Sequence, residues 1–161
     1  MRISALEAYG LDECVIDLWK GAGHRELLPI QEIAVQQGKV LDGQHVVVFS
    51  PTSSGKTFVG EMAAVRVARQ GHRVIYLVPQ KALAEEKYRE FKRKYAGLGI
   101  RVVISTRDHK DDDTDIRQGH FHIAVVVFEK MRGLLVVTPT LLSKVGLVVI
   151  DEFQMIGDRS R

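Results

Sequence analysis

Short apolar runs and amphipathic stretches alternate along most of this chain. Residues 46–49, 73–78, 101–104, 123–127 and 147–150 are unbroken or nearly unbroken apolar runs. Runs of that length, bounded by Gly, Pro and polar residues, predict strands buried on both faces. The stretches between them read differently. Residues 56 to about 69 are helix-compatible, and Gly71 caps them. Within 81–95, Ala84, Tyr88, Phe91 and Tyr95 recur at helical spacing on one face. Residues 129 to about 136 predict a short helix. Apolar strands separated by helices imply an α/β fold built on a parallel sheet with helices on both faces. Function in such sheets gathers beyond the carboxyl ends of the strands. Here those ends carry Ser50, Pro79, Ser105, Phe128 and Asp151.

The first 28 residues stand apart from that alternation. Val15, Ile16, Leu18 and Trp19 give a helical apolar face, and Gly21-Ala22-Gly23 stops it. Cys14 falls in that helix as a core residue. Pro29 opens a further helix at a position where its missing N–H costs nothing. Ile30, Ile33 and Ala34 are its buried stripe, Gly38 ends it, and Asp42-Gly43 is a turn before the first strand. The expected organisation is an N-terminal helical segment over 1–28 and one α/β lobe over 29–161.

Composition is compatible with this. The 161 residues are 45% hydrophobic and 27% charged, enough for one domain with its own core. No apolar run reaches the length of a membrane span, and the N-terminus lacks the apolar centre of a secretory signal. A single cysteine excludes an internal disulfide. An intracellular setting is expected, cytoplasmic in a prokaryote or nuclear in a eukaryote. The net charge of +3 permits a polyanion partner without requiring one.

The chemistry begins at Ser50-Pro51-Thr52-Ser53-Ser54-Gly55-Lys56-Thr57. A buried strand, a loop of small residues and then a helix is the setting a phosphate-binding loop requires. Successive backbone N–H groups make an anion nest, and the helix N-terminus adds partial positive charge. Gly55 lets the backbone approach closely. Lys56 can reach the β and γ phosphates, and the Thr57 hydroxyl can bind Mg²⁺. Ser50 stands where the general pattern has Gly. Further on, Asp151 and Glu152 close an apolar run. Beside a phosphate loop, Asp151 can hold Mg²⁺ and Glu152 can polarise a water for attack on the γ-phosphate. Alone, the pair reads more readily as a solvated helix-capping pair.

Four stretches, in order, resemble the first RecA-like lobe of a superfamily 2 DExH-box helicase, a P-loop NTPase. Within it they resemble the Ski-type group, which includes archaeal repair helicases and the helicase portion of polymerase theta. Leu28-Pro29-Ile30-Gln31 resembles the adenine-reading glutamine segment. Ser50 to Thr57 resembles the family's phosphate loop, which often lacks the first Gly. Pro79-Gln80-Lys81-Ala82-Leu83-Ala84-Glu85-Glu86-Lys87 resembles the motif that touches the nucleic-acid backbone. Asp151-Glu152-Phe153-Gln154 resembles the D-E-x-H box, followed by Met155-Ile156-Gly157-Asp158 as in the theta-like branch.

The resemblance implies ATP and Mg²⁺ as cofactors and single-stranded nucleic acid as partner, DNA rather than RNA, in DNA repair. It implies Lys56, Asp151, Glu152 and Gln154 as catalytic, with Thr57 and Asp151 on Mg²⁺. Leu28 and Gln31 join Pro51, Thr52, Ser53, Ser54, Gly55, Lys56 and Thr57 in binding nucleotide. The Gln31 amide matches the N6 donor and N7 acceptor of adenine; a glutamine on a helix is otherwise solvated. Lys81, with its helix's first amides, suits a strand phosphate or, equally, solvent. Lys92-Arg93-Lys94 reads as a solvated helix end.

Several positions depart from the pattern. Ser105-Thr106-Arg107-Asp108 resembles an S-T-G-D segment, with Arg107 in place of the glycine that would ease a turn. Phe128-Glu129-Lys130 resembles a T-P-E-K-type strand contact without its Thr and Pro, leaving Glu129 and Lys130. Asp111-Asp112-Asp113 would repel a phosphate backbone, so 109–118 reads as an exposed loop away from the strand path. Gln154 replaces the box histidine. It can hydrogen-bond but not titrate, so coupling of ATP chemistry to strand binding is expected without a titrating histidine.

The family's S-A-T segment and arginine-bearing second lobe do not occur in the sequence. The expectation is therefore a fragment that binds ATP–Mg²⁺ weakly, hydrolyses it hardly at all and unwinds nothing alone. Arginine at the transition state is worth roughly a thousand-fold or more in related phosphoryl transfer. A nucleotide-switched binding module is an alternative, against which Glu152 argues. A small-molecule P-loop kinase is another, and it leaves Gln31 and Lys81 without a role.

Overall fold

The computed structural model describes residues 1–109 and 111–157. It comprises two compact units, Met1–Arg66 and Val67–Arg161.

In the first unit a 3-10 helix at Ile3–Tyr9 precedes α1 (Glu13–Gly21). The Asp12 carboxylate accepts from the Val15 N–H at 3.1 Å, satisfying one of the free donors at the start of α1. The chain then returns beside its own N-terminus. Arg2 and Glu26 form an antiparallel bridge, and the Leu27 N–H donates to the Met1 carbonyl at 2.8 Å. α2 (Pro29–Gln36) begins on Pro29. Leu6, Val15, Ile16 and Trp19 are fully buried. The Trp19 ring meets Phe58, in the first turn of α3 (Lys56–Arg69), edge-on at 5.1 Å, and His24 stacks on Phe58 at 4.4 Å.

The second unit is organised by a sheet of β1 (Arg73–Val78), β2 (Val102–Ser105), β3 (Ile123–Val127) and β4 (Val145–Ile150). All pairings are parallel, in the order β2-β3-β1-β4. Helices α4 (Lys81–Tyr95), α5 (Asp113–Gln118) and α6 (Phe128–Val137) lie between the strands in sequence. Side chains alternate across the sheet. Ile75, Leu77, Val103, Ala124 and Val126 form one core with Ile116, Met131 and Leu134 of α5 and α6. Tyr76, on the opposite face, meets Phe91 of α4 at 5.3 Å, and Phe91 meets Tyr95 at 5.8 Å. The helical spacing of Ala84, Phe91 and Tyr95 is what buries all three together.

Five details differ from the sequence-based expectation. Residues 46–49 form no strand: among the described residues nothing pairs with them, and Val47 and Phe49 are 74% and 79% exposed. An apolar run becomes a strand only when a neighbour takes its backbone hydrogen bonds. β4 is at the edge of the sheet and covered on one face only, leaving Val148 and Ile150 exposed. In α2 the buried positions are Gln31, Ala34 and Val35, while Ile33 points to solvent. The glutamine displaces the expected stripe because its amide has partners inside. Cys14 is exposed, one position before the buried Val15-Ile16 pair. Within 109–118, residues 113–118 are helical, started by Asp112 and ended by Gly119 in the left-handed conformation.

Candidate nucleotide and nucleic-acid site

The candidate phosphate loop, 50–57, belongs to the first unit. Pro51, Thr52 and Ser53 are exposed, and Ser54, Gly55, Lys56 and Thr57 are half-buried as α3 begins at Lys56. Ser53 and Gly55 have φ of +63° and +87°. Left-handed residues of this kind turn successive amides toward one side, the geometry of an anion nest. Gly55 is also sterically fixed. A Cβ there would stand 2.4 Å from Gln31 Nε2 and 2.8 Å from Leu28 Cδ1. Ser50 does not adopt a positive φ, so glycine's freedom is not needed at that position. Its hydroxyl hydrogen-bonds that of Ser54. The Lys56 ammonium donates to the carbonyls of Ser50 and, at 2.8 Å, Pro51.

Gln31 ties the preceding segment to this loop. It is 3% exposed. Its Oε1 accepts from the Leu28 N–H at 2.8 Å, and its Nε2 donates to the Gly55 carbonyl at 3.1 Å. Each amide atom retains capacity for one more hydrogen bond. Leu28 is itself exposed.

The acidic box belongs to the second unit. The Asp151 N–H donates to the Leu77 carbonyl at 3.0 Å, carrying the sheet ladder one residue past β4. Both carboxylate oxygens of Asp151 are engaged: Oδ1 accepts from the Glu152 N–H at 3.0 Å and Oδ2 from the Tyr76 hydroxyl at 2.8 Å. Glu152 has φ of +53°, a left-handed turn that a non-glycine residue adopts only where its surroundings impose it. Gln154 is exposed and its Nε2 donates to the Glu152 carboxylate. Hard oxygen donors of the Thr57 and Asp151 type fit Mg²⁺, and the loop's amides with Lys56 fit a polyphosphate. Asp158 and the tail to Arg161 lie outside the described residues, as does Lys110.

The expected strand-contact residues follow β1, β2 and β3. Pro79 is half-buried, and Gln80 and Lys81 are exposed at the start of α4. Lys81 is ion-paired with Asp108, whose hydrogen bond raises the lysine above its ordinary pKa. Lys130 pairs with Asp113 at 2.7 Å, and Glu129 with Arg107 at 2.8 Å. Ser105 and Thr106, also expected to contact the strand, lie inside the fold. Both are fully buried; the Ser105 hydroxyl donates to Asp113, and Thr106 Oγ1 accepts from the His109 N–H at 3.2 Å. Arg107 does not adopt a positive φ, so the turn closes without the glycine.

The acidic stretch is therefore not remote from these residues. Asp112 accepts from the Ile104 N–H at 3.0 Å, and Asp108 and Asp113 hold the two lysines. In the sequence 111–113 reads as repulsive to phosphate; in the fold Asp113 of that stretch attracts a neighbouring lysine. Tyr76, as a residue of an apolar run, carries no signal in the sequence of its hydroxyl's partner.

Comparisons with known proteins bear on this geometry. The DEAD/DEAH box helicase family matches residues 28–161. The chain is 43% identical over 152 residues to ATP-dependent DNA helicase Hel308 of Thermococcus kodakarensis, covering 94% of this chain and 13% of that protein. It is 40% identical over 161 residues to the Hel308 helicase of Pyrobaculum calidifontis, covering 100% of this chain and 22% of that protein. Across such curated relatives the chain spans 13% to 23% of their length. Among solved structures, the DUF1998 helicase MrfA superposes with a TM-score of 0.73 at 23% identity, over 90% of this chain and 24% of that one. A hypothetical ATP-dependent RNA helicase from Sulfolobus tokodaii superposes with a TM-score of 0.71 at 18% identity, over 91% of this chain and 43% of that one. These structural likenesses establish the RecA-like α/β fold. No helix among the described residues is long and apolar enough to cross a membrane.

Proposed function

The chain belongs to the DEAD/DEAH box helicase family, and from that premise we propose that it is the N-terminal ATP-binding lobe of an ATP-dependent helicase or translocase acting on single-stranded DNA. The Hel308 relatives support the Ski-type assignment and the preference for DNA. The observation that carries the reading is the pairing, in one chain, of two built elements. One is a left-handed, glycine-requiring loop that opens α3 with Lys56 and Thr57; the other is a carboxylate pair held at the end of β4.

Each residue has a role in that proposal. The amides of 51–57 and the Lys56 ammonium bind the phosphates and neutralise their charge. Gln31 reads adenine with its remaining hydrogen-bonding capacity, and Leu28 packs on the base. Thr57 and Asp151 hold Mg²⁺, which supplies charge stabilisation on the phosphate oxygens when bound. Glu152 orients the attacking water and takes its proton. Gln154, hydrogen-bonded to Glu152, links that base to strand binding. Pro79, Gln80 and Lys81, with Glu129 and Lys130, contact the strand backbone. A second RecA-like lobe supplies the arginines and completes the motor.

The test is Glu152→Gln in a protein that joins this chain to its second lobe. Turnover should fall about 10²- to 10⁴-fold, the usual worth of a positioned base, with ATP binding kept. Single-stranded DNA should raise wild-type turnover more than single-stranded RNA. Unchanged turnover in Glu152→Gln overturns the catalytic assignment, and indifference to DNA overturns the motor.

A further inference from the structure

Tyr76 lies at the centre of β1 and is fully buried. Packing alone explains its ring, which meets Phe91 edge-on at 5.3 Å. It does not explain the hydroxyl. A phenylalanine would fill the same volume without a polar atom to satisfy, and a buried hydroxyl costs free energy unless it is paired. Here the hydroxyl donates to Asp151 Oδ2 at 2.8 Å.

The register of the sheet makes that contact. Tyr76 pairs with Val149 across the parallel β1–β4 ladder. Side chains alternate along a strand, so the residue two positions beyond Val149 returns to the face of Tyr76. That residue is Asp151. The Asp151 N–H, still bonded to the Leu77 carbonyl at 3.0 Å, keeps the carboxylate in register with the ring. Its other oxygen accepts from the Glu152 N–H at 3.0 Å. One donor from a core strand and one from the backbone thus fix both the position and the plane of the carboxylate. A carboxylate has about four lone-pair sites, so each oxygen keeps a site for a cation.

We propose that Tyr76 is a positioning residue for the metal: its hydroxyl orients the Asp151 carboxylate for Mg²⁺. The inference rests on the reading of Asp151 as a Mg²⁺ holder. It places the control of metal affinity in the interior of the sheet, on a fully buried residue. Mg²⁺ demands near-ideal octahedral geometry, whereas Ca²⁺ tolerates loose ligand placement. An unoriented carboxylate therefore penalises Mg²⁺ more than Ca²⁺.

Tyr76→Phe removes the hydroxyl and keeps the ring. The experiment follows binding of a fluorescent ATP analogue to this chain while Mg²⁺, and separately Ca²⁺, is titrated. In Tyr76→Phe the Mg²⁺ concentration for half-maximal binding should rise about 10- to 100-fold, the usual effect of losing a partner of a metal ligand. The Ca²⁺ curve should move less, and nucleotide binding without metal should not change. A general loss of folded protein scales all three signals together and leaves the Mg²⁺/Ca²⁺ ratio at its wild-type value, which counts against the proposal. Asp151→Asn separates the two levels. If it leaves the Mg²⁺ curve in place, the metal reading of Asp151 fails. If it shifts the curve while Tyr76→Phe does not, the positioning role alone fails.

Discussion

At Gly55 two constraints meet on one residue. Its φ of +87° disfavours any side chain, and the space a Cβ would take is filled by Gln31 and Leu28. Gly55→Ala is therefore expected to lower stability by at least about 1–2 kcal/mol, the cost of a left-handed L-residue. It should also loosen Gln31, which holds the Gly55 carbonyl. Thermal unfolding and nucleotide titration of the variant check both effects; an unchanged midpoint would mean that the loop backbone has a different shape. Glu152 carries comparable strain at φ +53°, and there the reason is functional under the proposal. The turn lets the Glu152 N–H return to the Asp151 carboxylate while its own carboxylate accepts from Gln154. Gly55 and Glu152 stand out in the sequence through the motifs they belong to, because the chemistry those motifs propose shows in the residue type. Tyr76 stayed hidden, because its type is also what an ordinary buried strand selects.

The segment from Arg107 to α5 is an element whose role inverted on folding. Its aspartates read as a reason to keep nucleic acid away. In the fold they anchor the end of β2 and neutralise the lysines that the proposal assigns to the strand: Asp108 on Lys81 and Asp113 on Lys130. A phosphodiester must then compete with a carboxylate for each lysine. Asp108→Asn should tighten single-stranded DNA binding by about two- to fivefold, the small worth of an exposed pair. The gain should fade as salt screens both interactions. Fluorescence anisotropy at two ionic strengths measures this, and Lys81→Ala should abolish the difference. Weaker binding by Asp108→Asn would show that the aspartate supports the surface instead of competing for it. The Lys81 ammonium, raised above its ordinary pKa by that hydrogen bond, stays charged throughout the neutral range, so the competition has no pH step there.

Across the whole molecule, protection should follow the strands and not the apolar runs. β1 and β3 are buried along nearly their full length and have partners on both sides. Their amides are expected to exchange only on the largest openings. Residues 44–50 are as apolar in places but belong to no ladder among the described residues. Their amides should exchange fastest of any internal apolar run. Hydrogen–deuterium exchange read by mass spectrometry distinguishes the two, and slow exchange at 46–49 would overturn the unpaired conformation described for it. Nucleotide binding should protect 51–57 first, since the loop amides are the proposed phosphate ligands.

What the sequence determined by itself were the local quantities. These are the alternation of strand and helix, the helical face of Ala84, Phe91 and Tyr95, and the start of α3 directly after the small-residue loop. Periodicity and motif spacing act over a few residues, and the chain carries them directly. The tertiary structure decided whatever needed a partner far along the chain. It left 46–49 unpaired and opened one face of β4. It buried Ser105, turned Gln31 inward, and set the Tyr76 hydroxyl on Asp151, 75 positions away. A hydrogen bond or a strand pairing is a property of two residues, and no single stretch of sequence holds both.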